Sequence, residues 1–387
     1  MPVVVQKYGG SSVADIEKLK RVAAKVAARR RAGDSVCVVV SAMGDATDDL
    51  LALAKQVSPD PPRRELDMLL TAGERISMAL LSIALHEQGV EAISFTGSQA
   101  GIITTDAHAT ARILEVRPTR VREELALGKV VIVAGFQGVS ARKEITTLGR
   151  GGSDTTAVAM AAALGADCEI YSDVAGVFTA DPRLVPAARR QPELSYEEMQ
   201  ALAQAGAKVL NAQAVEFART TGIAIRARST FGGDEETVVR AGRGVERIAG
   251  VAVARELALV DVPAADGERA VALLAAAHAP VSRVEGAAGR AVLAVDLENV
   301  HGFAPLAAAL RREIEGATIT ADGIGAVTVV GTGAGASARV KEALLAALAG
   351  LGAPALALER GPLEVAVYTE ARWLADAARE VHRRLIG

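Results

Sequence analysis

The sequence predicts an α/β fold in which a mostly parallel sheet is sandwiched by helices, followed by two ferredoxin-like βαββαβ units. Apolar strand segments alternate with helical patterns over roughly the first 230 residues, as in parallel sheets covered by helices. Hydrophobic residues make up 50% of the 387 residues but aromatic residues only 3%, so aliphatic side chains must build the core. The last third contains two similar segments, each a strand, a small-residue turn and an Ala/Leu-rich helix.

The first part of the chain reads as an alternation of strands and helices. Strands are predicted at residues 3–7, 35–41, 90–95, 129–134, 168–172 and 223–228. Helices are predicted at residues 15–31, 48–57, 65–86, 118–127 and 153–164. Residues 102–113 are expected to be irregular, and residues 135–152 to form a glycine-rich loop.

The composition of the sequence changes after residue 228, where the segments FGGDEE and AGRG are typical of a linker. The two repeats follow, beginning with ALVDVPAADGERAVALLAAA and VTVVGTGAGASARVKEALLAAL. We therefore expect a catalytic domain at 1–232, a linker at 233–247, a first small unit at 248–325 and a second at 326–387. Two copies of such a unit favour ligand sensing or pairing over a second catalytic centre.

Composition excludes several classes of protein. Lys and Arg total 43 against 46 Asp and Glu, so the net charge of −3 provides no basic field for nucleic acid. The sequence has no uninterrupted apolar run long enough to suggest a membrane span. Cys37 and Cys168 both lie in apolar strand patterns and are expected to be buried free thiols. Together with the absence of a signal-peptide pattern, this predicts a cytoplasmic protein.

Two glycine-rich turns join a predicted strand to a predicted helix. The first is KYGGSS, residues 7–12, and the second is LGRGGSDTT, residues 148–156. Consecutive glycines let backbone N–H groups approach an anion, and the following helix adds the positive end of its dipole. Lys7 and Arg150 precede the glycine pairs, where each could offset negative charge. Tight strand–helix connections also use glycine for purely structural reasons, so one such turn alone is weak evidence.

Four other segments carry polar residues at positions of possible function. The segment YSDVAGVFTADPR, residues 171–183, begins at a strand end, where open α/β sheets bind ligands. VVSAMGDATDD ends a strand in small residues, and its Thr47 or Asp48 can cap the next helix. Glu74 lies within an apolar helix, and Lys208 lies in AGAKVLN. On the residues alone, both of these charges would be expected to face solvent.

Taken together, these motifs resemble the aspartokinases of the amino-acid-kinase family. KYGGSS, VVSAMGDATD, LLTAGERIS, TTLGRGGSDTTAVA, YSDVAGVFTADPR and SYEEM…GAKVL occur in that family's order and span nearly all of residues 1–230. The repeats resemble the family's paired ACT regulatory domains more loosely. The resemblance implies an amino-acid-kinase fold with C-terminal ACT-like units, and pairing of chains through those units.

The resemblance also implies a role for each site residue. Lys7 would bridge the transferring phosphoryl group. Asp154 would orient Lys7 or help place the metal-bound phosphate. Substrate contacts would come from Glu74 to the ammonium, Arg150 to a carboxylate, and Ser41, Thr47 and Ser153 around substrate and phosphates. The nucleotide would contact Lys7, Gly9, Gly10, Ser11, Ser172, Asp173, Phe178, Asp181, Arg183 and Lys208.

The implied reaction transfers the γ-phosphoryl group of ATP to the side-chain carboxylate of L-aspartate, toward lysine, threonine and methionine. A carboxylate nucleophile is already ionised at neutral pH, so no general base is required. Mg²⁺ would accompany ATP and be held largely by its phosphates, with no dedicated protein ligand set. The five histidines show no metal-ligand spacing.

The sequence departs from the family pattern at several positions. Asn211-Ala212 stands where the family usually has His-Pro, and Phe178 where Tyr is common. DVPAADGE and GTGAGAS replace the usual effector-site turns of the repeats, and ALERGPLEVAV replaces a strand containing Ser-Glu-Ile. We therefore expect feedback by lysine or threonine to be altered or lost.

Two alternatives remain open. Another amino-acid kinase of the same fold, such as a glutamate 5-kinase, is the nearest enzymatic alternative, although the Glu74 motif and the repeats disfavour it. A catalytically inactive amino-acid-binding regulator would share the fold, although Lys7, Arg150 and Asp154 are all present.

Overall fold

The computed structural model describes residues 2–149, 151–242, 246–277, 279–297, 300 and 303–387. The chain forms two compact units. The first comprises residues 1–177, 192–200 and 209–241, and the second comprises residues 178–191, 201–208 and 242–387, leaving aside the positions outside the described ranges.

The first unit is built on a sheet of eight strands. All neighbouring strands are parallel except one antiparallel pair, which confirms the predicted mostly parallel sheet. In chain order, the strands of the first unit are β1 (Val3–Tyr8), β2 (Ser35–Val40), β3 (Ala92–Phe95), β4 (Ile102–Thr104), β5 (Ile113–Val116), β6 (Val130–Ala134), β7 (Gln137–Ser140), β8 (Ile145–Thr147), β9 (Asp167–Ser172), β10 (Glu193–Ser195), β11 (Ile225–Ser229) and β12 (Glu236–Arg240). The large sheet has the order β10-β12-β11-β9-β1-β2-β6-β3.

Helices cover this sheet. They are α1 (Ile16–Arg31), α2 (Ala46–Val57), α3 (Arg63–Glu87), α4 (Thr119–Ala126), α5 (Gly152–Leu164), α6 (Tyr196–Gln204) and α7 (Ala212–Thr221). Asp15 caps α1 by accepting a hydrogen bond from Lys18 N at 2.8 Å, and Gly165 ends α5 in the left-handed conformation. The valine-rich β1, β2 and β6 pack against α1 and α3 in a core that includes Val22, Val38 and Leu81.

Three stretches differ from the sequence-based expectation. Residues 102–113, expected to be irregular, contain β4, and the expected loop at 135–152 contains β7 and β8. These strands form a second, four-stranded sheet of order β5-β4-β7-β8. The predicted linker contains β12, which pairs with both β10 and β11. All are three to five residues long, too short for an alternating pattern to show in the sequence.

The second unit contains both repeats. Its strands are β13 (Gly250–Pro263), β14 (Val281–Val284), β15 (Arg290–Asp296), β16 (Thr318–Val330), β17 (Ala357–Arg360) and β18 (Glu364–Glu370). Its helices are α8 (Gly267–Ala276), α9 (Phe303–Glu313), α10 (Ala338–Leu351) and α11 (Leu374–Leu385). Each repeat thus contributes the predicted strands and its pair of helices, consistent with two ACT-like units.

The two repeats share one antiparallel sheet of order β14-β15-β13-β16-β18-β17. The long strands β13 and β16 pair along both repeats, with register shifts between Ala254 and Leu259. The two outer strands also meet, because Glu285 N donates to Leu358 O at 2.6 Å. The domain boundary predicted at 325/326 falls inside β16, which therefore belongs in part to each repeat. The division of this region into two separate domains remains a prediction.

By length and composition, α3 could cross a membrane. In the structure it is a core helix of the first unit, because Met78, Leu81 and Leu85 pack into the core beneath the sheet. Its inward face also carries carboxylates, which a lipid-exposed helix would not bury.

Candidate active site

The first predicted glycine turn lies where two neighbouring parallel strands end. β1 lies between β9 and β2 in the sheet, and Gly9 N donates to Tyr171 O at the end of β9 at 3.3 Å. A Cβ at Gly10 would lie 3.0 Å from the carbonyl oxygens of Ala42 and Gly44, so only glycine fits without displacing that loop. The turns after β1, β2 and β9 therefore meet at the carboxyl edge, the position at which open α/β sheets bind ligands.

Lys7 and Asp154 form an ion pair beside this turn. Lys7 Nζ lies 2.6 Å from Asp154 Oδ1, and the two side chains are only 13% and 9% exposed. Asp154 lies in the first turn of α5, which packs on β1, and its Oδ2 accepts a hydrogen bond from Asn211 N at 3.1 Å. The structure thus brings together the two residues predicted to be catalytic. It leaves a fixed, partly buried ammonium group next to the glycine turn.

The second glycine turn leads into α5. Gly149 and Gly151 have φ angles of 78° and 71°, which favour glycine. A Cβ at Gly151 would lie 2.3 Å from Asn211 Nδ2, so the turn packs closely on the start of α7. Ser153 is buried beside Gly135, at the end of β6. Arg150, the predicted carboxylate clamp, lies outside the described residues.

Glu74 faces inward, as its implied role requires. The side chain is 3% exposed, and Oε1 accepts a hydrogen bond from Ala42 N at 3.1 Å. Oε2 is also buried, and no group among the described residues forms a hydrogen bond with it. Burial raises the pKa of this carboxyl group to about 7, although the backbone hydrogen bonds oppose the shift. A buried carboxylate with one oxygen unbonded among the described residues is suited to receive an ammonium group.

The inward face of α3 carries a polar stripe that the sequence reasoning missed. Asp67, Thr71, Glu74 and Ser77 are at most 3% exposed and follow the helical repeat at intervals of four, three and three residues. The side chains of Asp67, Glu74 and Ser77 bond neighbouring loops or strands, whereas Thr71 Oγ1 donates to Met68 O at 3.1 Å within the helix. Ser77 Oγ donates to Ser41 O at 2.8 Å, and Thr71 O accepts from Gln137 Nε2 at 3.3 Å. The regular spacing of these polar residues within an otherwise apolar helix could have indicated this polar face from the sequence.

The remaining substrate-side residues lie in or near the loops that this stripe holds. Ser41 directly follows β2, and its N–H donates to Tyr8 O at 3.1 Å. Thr47 lies in the first turn of α2, with Asp45 at the N-cap, so Thr47 is not the cap that the sequence allowed. Ser11, which was assigned to the nucleotide, is exposed in the 3-10 turn Gly10–Val13.

The residues assigned to the nucleotide are divided between the units. Ser172 and Asp173 follow β9 in the first unit, where Ser172 Oγ accepts a hydrogen bond from Val174 N at 3.3 Å. Phe178, Asp181, Arg183 and Lys208 belong to the second unit. There the Arg183 guanidinium donates to both oxygens of Asp181, and this holds the pKa of Asp181 below its usual range. The structure leaves their nucleotide role a prediction.

Asn211 has a clearer function than its departure from the family pattern indicated. Its side-chain Oδ1 accepts hydrogen bonds from Gln213 N at 2.9 Å and Ala214 N at 3.2 Å, so it caps α7. The start of α7 therefore has a side-chain cap at the position where the family usually has His-Pro. An asparagine ahead of a helical pattern was the signal for the cap, but its backbone bond to Asp154 could not be read from sequence.

Residues 2–229 match the model of the amino acid kinase family. The chain is 60% identical to the aspartokinase of Mycolicibacterium smegmatis over 242 residues, which are 62% of this chain and 58% of that relative. The matched segment thus spans less than two thirds of that relative's length. It is also 40% identical to the aspartokinase of Thermus thermophilus over 402 aligned positions, covering 99% of this chain and 98% of the relative.

A solved structure shares the architecture of the whole chain. The crystal structure of E. coli aspartokinase III in complex with aspartate and ADP (R-state) superimposes with a TM-score of 0.87 over all of both chains. Because the two sequences are 22% identical, this similarity establishes the fold alone.

Proposed function

The chain belongs to the amino acid kinase family, among its aspartokinases, and we propose that it phosphorylates the side-chain carboxylate of L-aspartate with ATP. The observation that carries this proposal is the buried Lys7–Asp154 pair beside a glycine turn at the carboxyl edge of the sheet. Glu74 is linked to the same turn through the loop at residues 41–44, since it holds Ala42 N and that loop contacts Gly10.

The arrangement can bring two anions together. Aspartate and the terminal phosphates of ATP repel each other, and the attacking carboxylate needs no deprotonation. The Lys7 ammonium and the N–H groups of the glycine turns would offset this repulsion, and would do so best as charge moves in the transition state. Glu74 would orient the substrate by its ammonium group. Arg150 would bind a substrate carboxylate, as the resemblance implies.

Mg²⁺ would enter the site bound to ATP. Among the described residues, no three His, Cys, Asp or Glu side chains are grouped so as to hold a metal ion. Mg²⁺ commonly uses one or two carboxylates together with substrate phosphates, which fits Asp154 as the carboxylate beside Lys7. When bound, Mg²⁺ would neutralise phosphate charge; Asp154 would keep Lys7 in place.

A hydroxamate assay tests the proposal. Protein, Mg-ATP, L-aspartate and hydroxylamine are mixed, and the acyl phosphate is trapped as the hydroxamate. We expect a signal with aspartate and none with glutamate. A signal with glutamate alone would favour the related kinase, and aspartate binding without turnover would favour the inactive regulator.

The raised pKa of Glu74 predicts a pH dependence. Glu74 is protonated below about pH 7 in the free enzyme and must be ionised to bind the substrate ammonium. We therefore expect kcat/KM for aspartate to fall about tenfold per pH unit below pH 7, while kcat, which reports the bound state, changes less. Steady-state rates between pH 5.5 and 8.5 measure both. In Glu74→Gln this acid limb should vanish and the aspartate KM should rise; its persistence would assign the pKa to another group.

We propose that the ACT-like units serve pairing of chains more than sensing of lysine or threonine. The atypical turns DVPAADGE and GTGAGAS support this, because they lack the family's usual effector-site sequence. We expect calorimetric titration with either amino acid at sub-millimolar concentration to show no heat of binding. Binding accompanied by loss of activity would overturn this view. Light scattering would show whether the chain forms the expected homo-oligomer.

We propose a cytoplasmic location for this activity. Cys37 and Cys168 are both buried and free, which suits a reducing compartment but does not require one. Burial raises the pKa of the Cys37 thiol to about 12, so this thiol is unreactive at neutral pH.

A further inference from the structure

Asp67 is a fully buried carboxylate that the proposed chemistry does not use. It lies on the polar stripe of α3, seven residues before Glu74, which is about two helical turns. A carboxylate with 0% exposure is costly to bury unless it is well hydrogen-bonded. Its partners therefore indicate what it is there to hold.

Three groups donate hydrogen bonds to Asp67. Thr147 Oγ1 donates to Oδ1 at 2.6 Å, and His108 Nδ1 donates to Oδ2 at 2.7 Å. The backbone N–H of Ala109 reaches both oxygens, at 3.1 and 3.2 Å. The carboxylate thus joins helix α3 to the end of β8 and to the loop that contains residues 108 and 109.

Both of these segments lead to the second glycine turn. Thr147 is the last residue of β8, two residues before Gly149. Ala109, held in the left-handed conformation with φ of 66°, places its carbonyl oxygen 3.3 Å from where a Cβ on Gly149 would lie. The loop is also tied to the strand end directly, because Ala111 N donates to Thr147 O at 2.9 Å.

We propose that Asp67 is a positioning residue for the glycine turn that begins at Gly149, acting through Thr147 and Ala109. This inference rests on the proposed function, in which that turn serves the carboxylate-bearing amino-acid substrate. Asp67 and Glu74, both on helix α3, would then both serve binding of the amino-acid substrate. Glu74 would contact the substrate ammonium, and Asp67 would fix the segments that lead to the second glycine turn. The hydrogen bonds that the structure describes for Asp67 go to His108, Ala109 and Thr147 and not to Lys7 or the first glycine turn, so we expect nucleotide binding to change much less than aspartate binding.

Two neighbouring threonines provide a matched test. Thr147→Val removes the hydroxyl that donates to Asp67 while keeping the shape of the side chain. Thr146→Val is the control, because Thr146 is equally buried, lies one residue away, and bonds Thr104 Oγ1 at 2.5 Å instead. Both variants lose one buried hydroxyl, so a purely structural effect should be similar in the two. Thr147→Ser keeps the hydroxyl and serves as the rescue.

The measurements are the KM values for aspartate and Mg-ATP, kcat, and the melting temperature of each variant. For Thr147→Val we expect the aspartate KM to rise about tenfold, the lower end of the effect of losing one hydrogen bond to a charged group, with the ATP KM within about twofold. Thr146→Val should leave both KM values unchanged even where it lowers the melting temperature. Thr147→Ser should restore the aspartate KM.

Each other outcome contradicts the inference. Equal kinetic constants in Thr147→Val and Thr146→Val would show that Asp67 is structural only. Equal rises in both KM values would show that the bond does not act on the amino-acid side. A wild-type chain without aspartate-dependent turnover would overturn the proposed function and this inference with it. If the wild-type chain phosphorylates aspartate and Thr147→Val has an unchanged aspartate KM, the inference about Asp67 is wrong and the proposed function stands.

Discussion

Replacing Lys7 with alanine should lower kcat about a thousandfold, the scale seen when a fixed group that stabilises transition-state charge is removed. Lys7 is held by Asp154 at 2.6 Å and is only 13% exposed, so its charge acts where water screens little. Because the ammonium is proposed to bind charge that develops during phosphoryl transfer, the KM values should change much less than kcat. Steady-state hydroxamate assays at saturating aspartate and ATP measure this directly.

Two further variants separate the role of Lys7 from side effects. Lys7→Ala leaves the buried Asp154 without its cation, so Lys7→Ala combined with Asp154→Asn removes that unpaired charge. We expect the double variant to remain inactive. Lys20→Ala, which breaks an exposed pair with Glu17, should keep wild-type kcat. A Lys7→Ala enzyme with intact kcat, or a double variant with restored kcat, would refute the bridging role.

The large parallel sheet could be predicted because its strands are continuous apolar runs. The apolar runs in VVVQKY and SVCVVV indicate buried strands without reference to other segments, and Gly10 and Gly151 mark turns that require glycine. The short strands β7 and β8 could not be predicted from the sequence, because a strand of three or four residues such as ITT has too few positions to define a pattern. Their sheet is specified by pairing between distant segments, for example Thr104 with Ser140.

The site was predictable to the extent that its motifs are local. Lys7 and Asp154 each belong to a glycine turn, so their importance could be inferred, but their 2.6 Å contact joins residues 147 positions apart. Asp67 lacked such a motif. Its partners, His108, Ala109 and Thr147, lie about 40 and 80 residues away and are brought to it only by folding. Burial of a charge, which is invisible in a single sequence, is what distinguishes it.

The second large effect is expected from Glu169, a buried carboxylate in the middle of β9. It is 3% exposed and accepts hydrogen bonds from Gln6 Nε2 at 2.8 Å and Tyr171 OH at 3.0 Å. The guanidinium groups of Arg29 and Arg228 lie 3.7 and 3.4 Å from its other oxygen. Its charge helps to raise the pKa of Tyr171 to about 12, after burial itself, so the phenol stays a donor.

Glu169→Gln should destabilise the first unit by about 1–3 kcal/mol, because the new amide group places a buried donor where Gln6 and Tyr171 already supply donors. Arg29 and Arg228 keep Asp34 and Glu236 as partners, at 2.5 and 2.6 Å, so their charges stay compensated. Hydrogen exchange followed by mass spectrometry localises the effect. Peptides covering β1 and β9 should lose protection, whereas peptides covering β16 and β18 should keep theirs.

Glu216→Gln provides the control, since Glu216 pairs with Arg219 on the exposed surface of α7 at 2.7 Å. That change should cost no more than about 0.5 kcal/mol. Unchanged exchange of β1 and β9 in Glu169→Gln would mean that the pairs of Arg29 with Asp34 and of Arg228 with Glu236 hold this region without Glu169. Glu169 would then be replaceable, and the sheet edge that carries Lys7 would not owe its order to this carboxylate. We expect the opposite, because Gln6 and Lys7 are adjacent on β1, so the same strand anchors the buried network on one face and presents the ammonium on the other.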